Sequence, residues 1–198
     1  MGLYLGHFDF EKPLIWTVQG LLTESECKAI LACVMDGEWL AATVNRSEGR
    51  AVDTRLRDNS VAIVRDERLA DDLFERVRPH VPPTMSTEIG DVGRVKVELA
   101  GIFLPLRVYR YEPGQQFGLH QDQSYLRSDG ARSLLTFLVY LNDNFEGGTT
   151  DFPEQNKVIA PTTGSALLFQ HMVLHAGTKV ERGTKYVLRS DILYRRAA

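Results

Sequence analysis

The sequence predicts a mainly β protein, a β-roll backed by a helical N-terminal part, and three observations carry that expectation. From about Val95 onward the chain breaks into short runs rich in β-branched and aromatic residues: "VKVEL", "IFLPLRVYRY", "RSLLTFLVYLN", "TTDF", "KVIA", "SALLFQ" and "KYVLRSDILY". Turn signals separate them, among them Glu112-Pro113-Gly114, Glu146-Gly147-Gly148 and Arg182-Gly183. Seven or eight such strands with no helical pattern between them argue for a sandwich or barrel. Helical periodicity is confined to the part before Val95. Within the 198 residues there is no repeat, linker or low-complexity tract, so one domain is expected: helical support and a lid loop over 1–94, and the roll over 95–198.

The elements follow in order. The opening "MGLYLGHFDFEKPLIW" carries His7, Asp9, Glu11 and Lys12 and so lacks the uninterrupted apolar stretch of a signal peptide. "LLTESECKAILACVMDG" has its own start and stop signals. Thr23 and Glu26 make a capping-box pattern, Cys27, Ile30, Leu31 and Val34 recur at helical spacing, and Gly37 follows the end. "DERLADDLFERVRPHVPP" is a second amphipathic helix, with Leu69, Leu73, Phe74 and Val77 inward and Pro79 near its end. Between the helices lies "NRSEGRAVDTRLRDNS", a long polar loop or edge hairpin. Its arginines Arg46, Arg50, Arg55 and Arg57 read as a solvated face.

Composition narrows the function classes. The chain is 43% hydrophobic and 25% charged, with a net charge of -3. That balance disfavours a nucleic-acid binder, whose affinity rests on phosphate neutralisation. No run approaches the roughly 18 apolar residues of a membrane span. Cys27 and Cys33 are the only cysteines; they read as two reduced core thiols of a cytoplasmic protein.

The chemistry gathers around "YEPGQQFGLHQD". On an extended strand His120 and Asp122 point to one face and Gln121 to the other. A hydrogen-bonded pair, an acid/base couple and part of a metal site are all compatible with that spacing. A third ligand has few sources, because the chain holds five histidines. "ALLFQHMVLHAGTKVERGTKY" supplies His171 and His175, while His7 and His80 have no partner pattern. Two histidines and one carboxylate would form the facial triad of non-heme Fe(II) oxygenases, which leaves one side of the metal open. Lys185, ten residues after His175, is a candidate cation for the far carboxylate of a 2-oxo acid.

The segment from about Arg107 to Arg195 resembles the 2-oxoglutarate/Fe(II)-dependent dioxygenases, in their prolyl-4-hydroxylase-like branch. "RYEPGQQFGLHQD", "TFLVYLNDNFEGGTTDFP", "VIAPTTGSALLFQ" and "LHAGTKVERGTKYVLRSDILY" occur in the family's order and near its spacing, and "LLTESECKAILA" is similar to the family's opening helix. The resemblance implies a double-stranded β-helix, the jelly roll, with His120, Asp122 and His175 as the iron ligands. It implies Lys185 for the C5 carboxylate of 2-oxoglutarate and Tyr111, Tyr140 and Thr150 beside that cosubstrate. Thr150 matches the threonine of a "GGET" motif, with Thr149 standing where that motif has Glu. Arg189 would help bind cosubstrate or substrate, Arg57 would sit near the mouth of the roll, and His171 becomes a structural histidine.

What the resemblance implies for function is Fe(2+)-, 2-oxoglutarate- and O2-dependent hydroxylation of an unactivated C–H bond, with ascorbate as an accessory. Related halogenases carry a small residue in place of Asp122, so its presence argues for hydroxylation. A prolyl residue in a peptide or protein is the first substrate expected; a free amino acid or other small metabolite is the alternative. A non-catalytic metal-binding module is the second class. It is disfavoured because every expected ligand position and the cosubstrate cation are filled.

Overall fold

The computed structural model describes residues 8–46, 49–89 and 92–196, so His7 lies outside the described residues. The helices are α1 (Glu24–Met35) and α2 (Glu67–Val77). The first six strands are β1 (Ile15–Val18), β2 (Leu40–Ala41), β3 (Val44–Arg46), β4 (Gly49–Ala51), β5 (Ser60–Val64) and β6 (Thr84–Ile89). Then come β7 (Gly93–Ile102), β8 (Leu106–Tyr111), β9 (Phe117–His120), β10 (Arg132–Tyr140), β11 (Glu146–Gly147) and β12 (Thr150–Phe152). The chain closes with β13 (Lys157–Ile159), β14 (Ala166–Gln170), β15 (His175–Gly177), β16 (Val180–Arg182) and β17 (Lys185–Arg196).

The strands form a large antiparallel sheet in the order β1-β14-β10-β17-β8-β5-β2 and a smaller one in the order β13-β12-β15-β9. The long strand β17 serves two partners on one edge: its first half pairs with β8 and its second half with β7, which in turn carries β6. The mainly β roll expected from the sequence is therefore present. The part before Val95 is more than helical support, however. β1 extends the large sheet beside β14 and β5 extends it beside β8. "SVAIV" is β-branched but only five residues long, and such a run is ambiguous until a neighbouring strand claims it.

Both helices form as expected. At α1 the Thr23 side chain accepts from the backbone N–H of Glu26, and the Glu26 carboxylate accepts from the backbone N–H of Thr23. Cys27, Ile30 and Val34 are its buried face. One expectation fails: Cys27 is buried but Cys33 is exposed. A step of six residues turns a helix by about 240°, which takes Cys33 off the face that Cys27 buries. Asp66 caps α2 through Leu69 N–H, and Ala70, Leu73 and Val77 face inward. The loop between the helices is partly the edge hairpin expected, with β3 paired to β4.

The large sheet has two interiors, one on each face. On β10, Leu135, Phe137 and Val139 join the cluster that holds Cys27, Ile30, Leu73 and Val77 of the helices. The alternate residues Thr136 and Leu138 point the other way, into a cavity between the two sheets. β17 repeats the pattern: Leu188 and Ile192 go to the helices, and Lys185, Val187 and Arg189 go to the cavity. Period-two alternation thus sends every second side chain of one strand to the core and the rest to the site.

Candidate active site

The smaller sheet presents the imidazoles. His120 ends β9 and His175 opens β15, and the two are register partners in that sheet, with ring centroids 4.1 Å apart. Asp122 follows β9, where its backbone N–H donates to the carbonyl of His171 at 2.9 Å. One ligand atom from each of His120, Asp122 and His175 can be chosen so that all lie within 4.8 Å of one another. His175 Nε2 is 3.7 Å from Asp122 Oδ2, and His120 Nε2 is 3.7 Å from Asp122 Oδ1.

Hydrogen bonds decide which nitrogens face the cluster. His120 Nδ1 is 2.8 Å from the carbonyl of Gly118, and His175 Nδ1 is 2.9 Å from the carbonyl of Val173. A carbonyl only accepts, so each Nδ1 carries the proton and each Nε2 keeps its lone pair for a metal. His120 Nε2 is buried with no hydrogen-bond partner. Burial lowers the His120 pKa to about 3 and pushes His175 down as well, so both imidazoles are neutral. Burial alone would raise Asp122, but the guanidinium of Arg189 and the neighbouring imidazoles hold it well below the usual carboxylate range. Two neutral nitrogens and one carboxylate, converging and unpaired by hydrogen at Nε2, fit a divalent iron.

The cavity beside this cluster is lined from both sheets. Among its lining residues is Lys185, 4% exposed, with Nζ donating to the carbonyl of Gly148 at 2.7 Å. Nζ lies 5.5 Å from the ring centroids of both Tyr111 and Tyr140. Burial pulls the Lys185 pKa down to about 7, opposed by the charge of Asp151. Gly148 has a positive φ of 62°, and a Cβ there would meet the Lys185 side chain at 3.2 Å. The bare glycine backbone is therefore what lets the ammonium approach so closely. Tyr140 Oη and Thr150 Oγ1 are 2.8 Å apart beside it.

Seven of the eight residues singled out in the sequence lie together around this cavity or line it directly, and Tyr140 borders it through Thr150. Arg189 also lines it, yet its Nη2 is spent on Asp122 Oδ1 at 2.6 Å. His171 is outside the cluster: it is buried with Nδ1 2.9 Å from Thr136 Oγ1 and Nε2 3.0 Å from Ser133 Oγ. His80 is exposed. Arg57 is not on the solvated face that its loop suggested but lines the cavity, in keeping with the position near the mouth of the roll that the resemblance implies. It is 5% exposed, with its guanidinium carbon 4.2 Å from the ring centroids of both Tyr109 and Phe117. Two neighbours went unnoticed in the sequence: Phe117 stacks on His120 at 3.5 Å, and Thr136 donates to Asp122 Oδ2 at 2.5 Å. Phe117 sits three residues before His120 in "FGLH", a signal that only the fold makes readable.

The double sheet is a jelly roll, and its His-Asp-His cluster is arranged as a metal site would be. Residues 106–190 match the profile of the 2OG-Fe(II) oxygenase superfamily. The chain is 25% identical to "Probable prolyl 4-hydroxylase 3" of Arabidopsis thaliana over 88% of its own length and 67% of that relative. A mimivirus protein of the same class name is 35% identical over 41% of each chain, so this chain spans less than half of that relative. Two solved structures share the fold. The viral collagen prolyl hydroxylase of Paramecium Bursaria Chlorella virus-1, in a 2OG complex, aligns at TM-score 0.64 with 20% identity over 92% of this chain and 97% of that one. The Trichoplax adhaerens prolyl hydroxylase in complex with a hypoxia inducible factor peptide fragment aligns at 0.66 with 18% identity, over 90% and 82%. These similarities support a 2-oxoglutarate/Fe(II) oxygenase of the prolyl-4-hydroxylase-like branch, a non-heme iron dioxygenase.

Proposed function

We propose that the protein hydroxylates a prolyl residue of a peptide or protein with Fe(2+), 2-oxoglutarate and O2. The observation that carries this reading is the His120/Asp122/His175 cluster opening onto a cavity that the buried cation Lys185 also lines. His120, Asp122 and His175 hold the iron. Lys185 pairs with the C5 carboxylate of 2-oxoglutarate, and Tyr111, Tyr140 and Thr150 shape the pocket around it. Iron with its cosubstrates supplies the oxidising power: 2-oxoglutarate becomes succinate and CO2, and one oxygen atom of O2 enters the substrate C–H bond. The protein's own part is positioning and exclusion of water. Phe117 stacked on His120, and Phe169 at 4.4 Å from His175, keep the ligand side of the cavity dry.

A free amino acid is the second reading, and a specific observation favours it. Arg57 lines the cavity with Nη2 buried and without a hydrogen-bond partner, a donor suited to a substrate carboxylate. Two free thiols support a reducing, cytoplasmic setting, and ascorbate is the accessory that restores ferrous iron. Among the described residues no helix is long and apolar enough to cross a membrane. A succinate-release assay across prolyl peptides and free amino acids, with mass spectrometry for the gain of one oxygen, tests the proposal. Peptide-dependent succinate with an oxidised prolyl residue is expected; release driven only by free amino acids would overturn the peptide reading.

A further inference from the structure

The cavity face of β17 holds an arrangement that cosubstrate binding does not use. Arg189 and Asp191 point to the same side as Lys185 and Val187, and the four groups Asp122, Arg189, Asp191 and Arg107 alternate in charge. Arg189 Nη2 lies 2.6 Å from Asp122 Oδ1 and 3.6 Å from Asp191 Oδ1, and Arg107 Nη2 lies 2.8 Å from Asp191 Oδ2. Arg189, Asp122 and Asp191 side chains are 11%, 5% and 8% exposed. Register explains the meeting: Arg189 sits opposite Arg107 of β8, and Asp191 sits opposite Thr136 of β10.

The other carboxylate oxygen is held by a separate chain of hydrogen bonds whose direction can be worked out. Tyr125 N–H donates to Ser133 Oγ at 2.8 Å, which leaves the Ser133 hydroxyl to donate to His171 Nε2 at 3.0 Å. His171 Nδ1–H then donates to Thr136 Oγ1 at 2.9 Å, and Thr136 donates to Asp122 Oδ2 at 2.5 Å. Each donor in the chain points toward the carboxylate.

An ionised carboxylate this deeply buried needs a counter-charge at all times. The guanidinium of Arg189, 2.6 Å from Oδ1, is in place to supply it, whereas a metal supplies one only when bound. We propose that Arg189 is a positioning residue that serves as the resident counter-ion of Asp122. It keeps the iron ligand charged, oriented and compensated in the metal-free protein, so that folding of the site does not wait for the metal. The inference rests on the iron reading of the cluster.

Thermal unfolding with and without Mn(II) tests it, in the wild type, Arg189→Gln, Arg189→Lys and the double variant Asp122→Asn/Arg189→Gln. Arg189→Gln is expected to lower the metal-free midpoint by about 6–12 °C and Mn(II) to recover most of the loss, because the metal replaces the missing charge. Arg189→Lys should keep most of the metal-free midpoint. The double variant should regain most of it, since the uncompensated carboxylate is gone. If Arg189→Gln yields no folded metal-free protein, recovery in the double variant supports the inference and failure to recover overturns it. An equal loss with and without Mn(II), or a double variant as unstable as Arg189→Gln, would show a merely structural arginine. A wild type whose midpoint Mn(II) leaves unmoved would overturn the iron reading itself, a result distinct from the other two.

Discussion

The two faces of the large sheet are built from the same strands and do opposite work. Toward the helices, β10 and β17 present Leu135, Phe137, Val139, Leu188 and Ile192, all buried and apolar. Toward the smaller sheet the alternate positions of the same strands present Thr136, Tyr140, Lys185 and Asp191, buried as well but polar or charged, and Arg189, nearly so. Burial of apolar groups stabilises the fold at about 25 cal/mol per Å², whereas burial of charge opposes folding unless each group is paired. The contrast teaches where the molecule keeps its stability and where it keeps its chemistry. A rigid apolar face allows the other face to hold the cations Lys185 and Arg189 and the carboxylate of Asp191 in place.

Breaking each face in turn sharpens the contrast. The largest effect belongs to Asp122→Ala, which should abolish 2-oxoglutarate turnover while leaving the helix-side core untouched; full activity in that variant would remove the cluster from the chemistry. Phe137→Ala, on the opposite face of β10, should cost about 3–5 kcal/mol of stability in denaturant unfolding, yet leave iron affinity of the folded fraction unchanged. A variant that lost both in step would mean the two faces are not separable.

Lys185 gives a pH test with a definite sign. Its folded pKa, about 7, lies below the ordinary lysine value. In the free protein the ammonium is therefore intact below pH 7 and increasingly lost above it. The C5 carboxylate needs the charged form, so binding above pH 7 must draw a proton back. KM for 2-oxoglutarate should be level below pH 7 and rise about tenfold per pH unit above it; a level KM from pH 6 to pH 9 would contradict the pairing. The smallest effect is expected at the cavity mouth. Arg57→Gln should raise KM for a carboxylate-bearing substrate on the order of 10-fold, and an unchanged KM would leave Arg57 to its stacking role between Tyr109 and Phe117.

Much of this was legible in the residues. Spacing showed that His120 and Asp122 share a face, and helical periodicity with its capping box marked α1 almost to its ends. The choice between His171 and His175 was not legible from spacing, since both lie in one polar-apolar stretch; only the pairing of β15 with β9 brings His175 opposite His120. From its polar, arginine-rich loop alone Arg57 reads as solvated, and only the resemblance put it near the mouth of the roll. Its burial arises from two aromatic rings, Tyr109 of β8 and Phe117 of β9, which are distant in sequence. Arg189 was grouped with Lys185 because they share a strand face, a correct inference about direction that said nothing of Asp122, 67 residues upstream. Long-range pairings of this kind depend on register, and register is decided by the whole sheet.

The central claim is that His120, Asp122 and His175 hold iron beside a pocket for 2-oxoglutarate, and anaerobic titration tests it most directly. Fe(II) and then 2-oxoglutarate are added to the metal-free protein without oxygen, and the visible spectrum is followed. A charge-transfer band that saturates at one equivalent of each and is absent in Asp122→Ala is the expected result. A wild-type protein that develops no band would contradict the account.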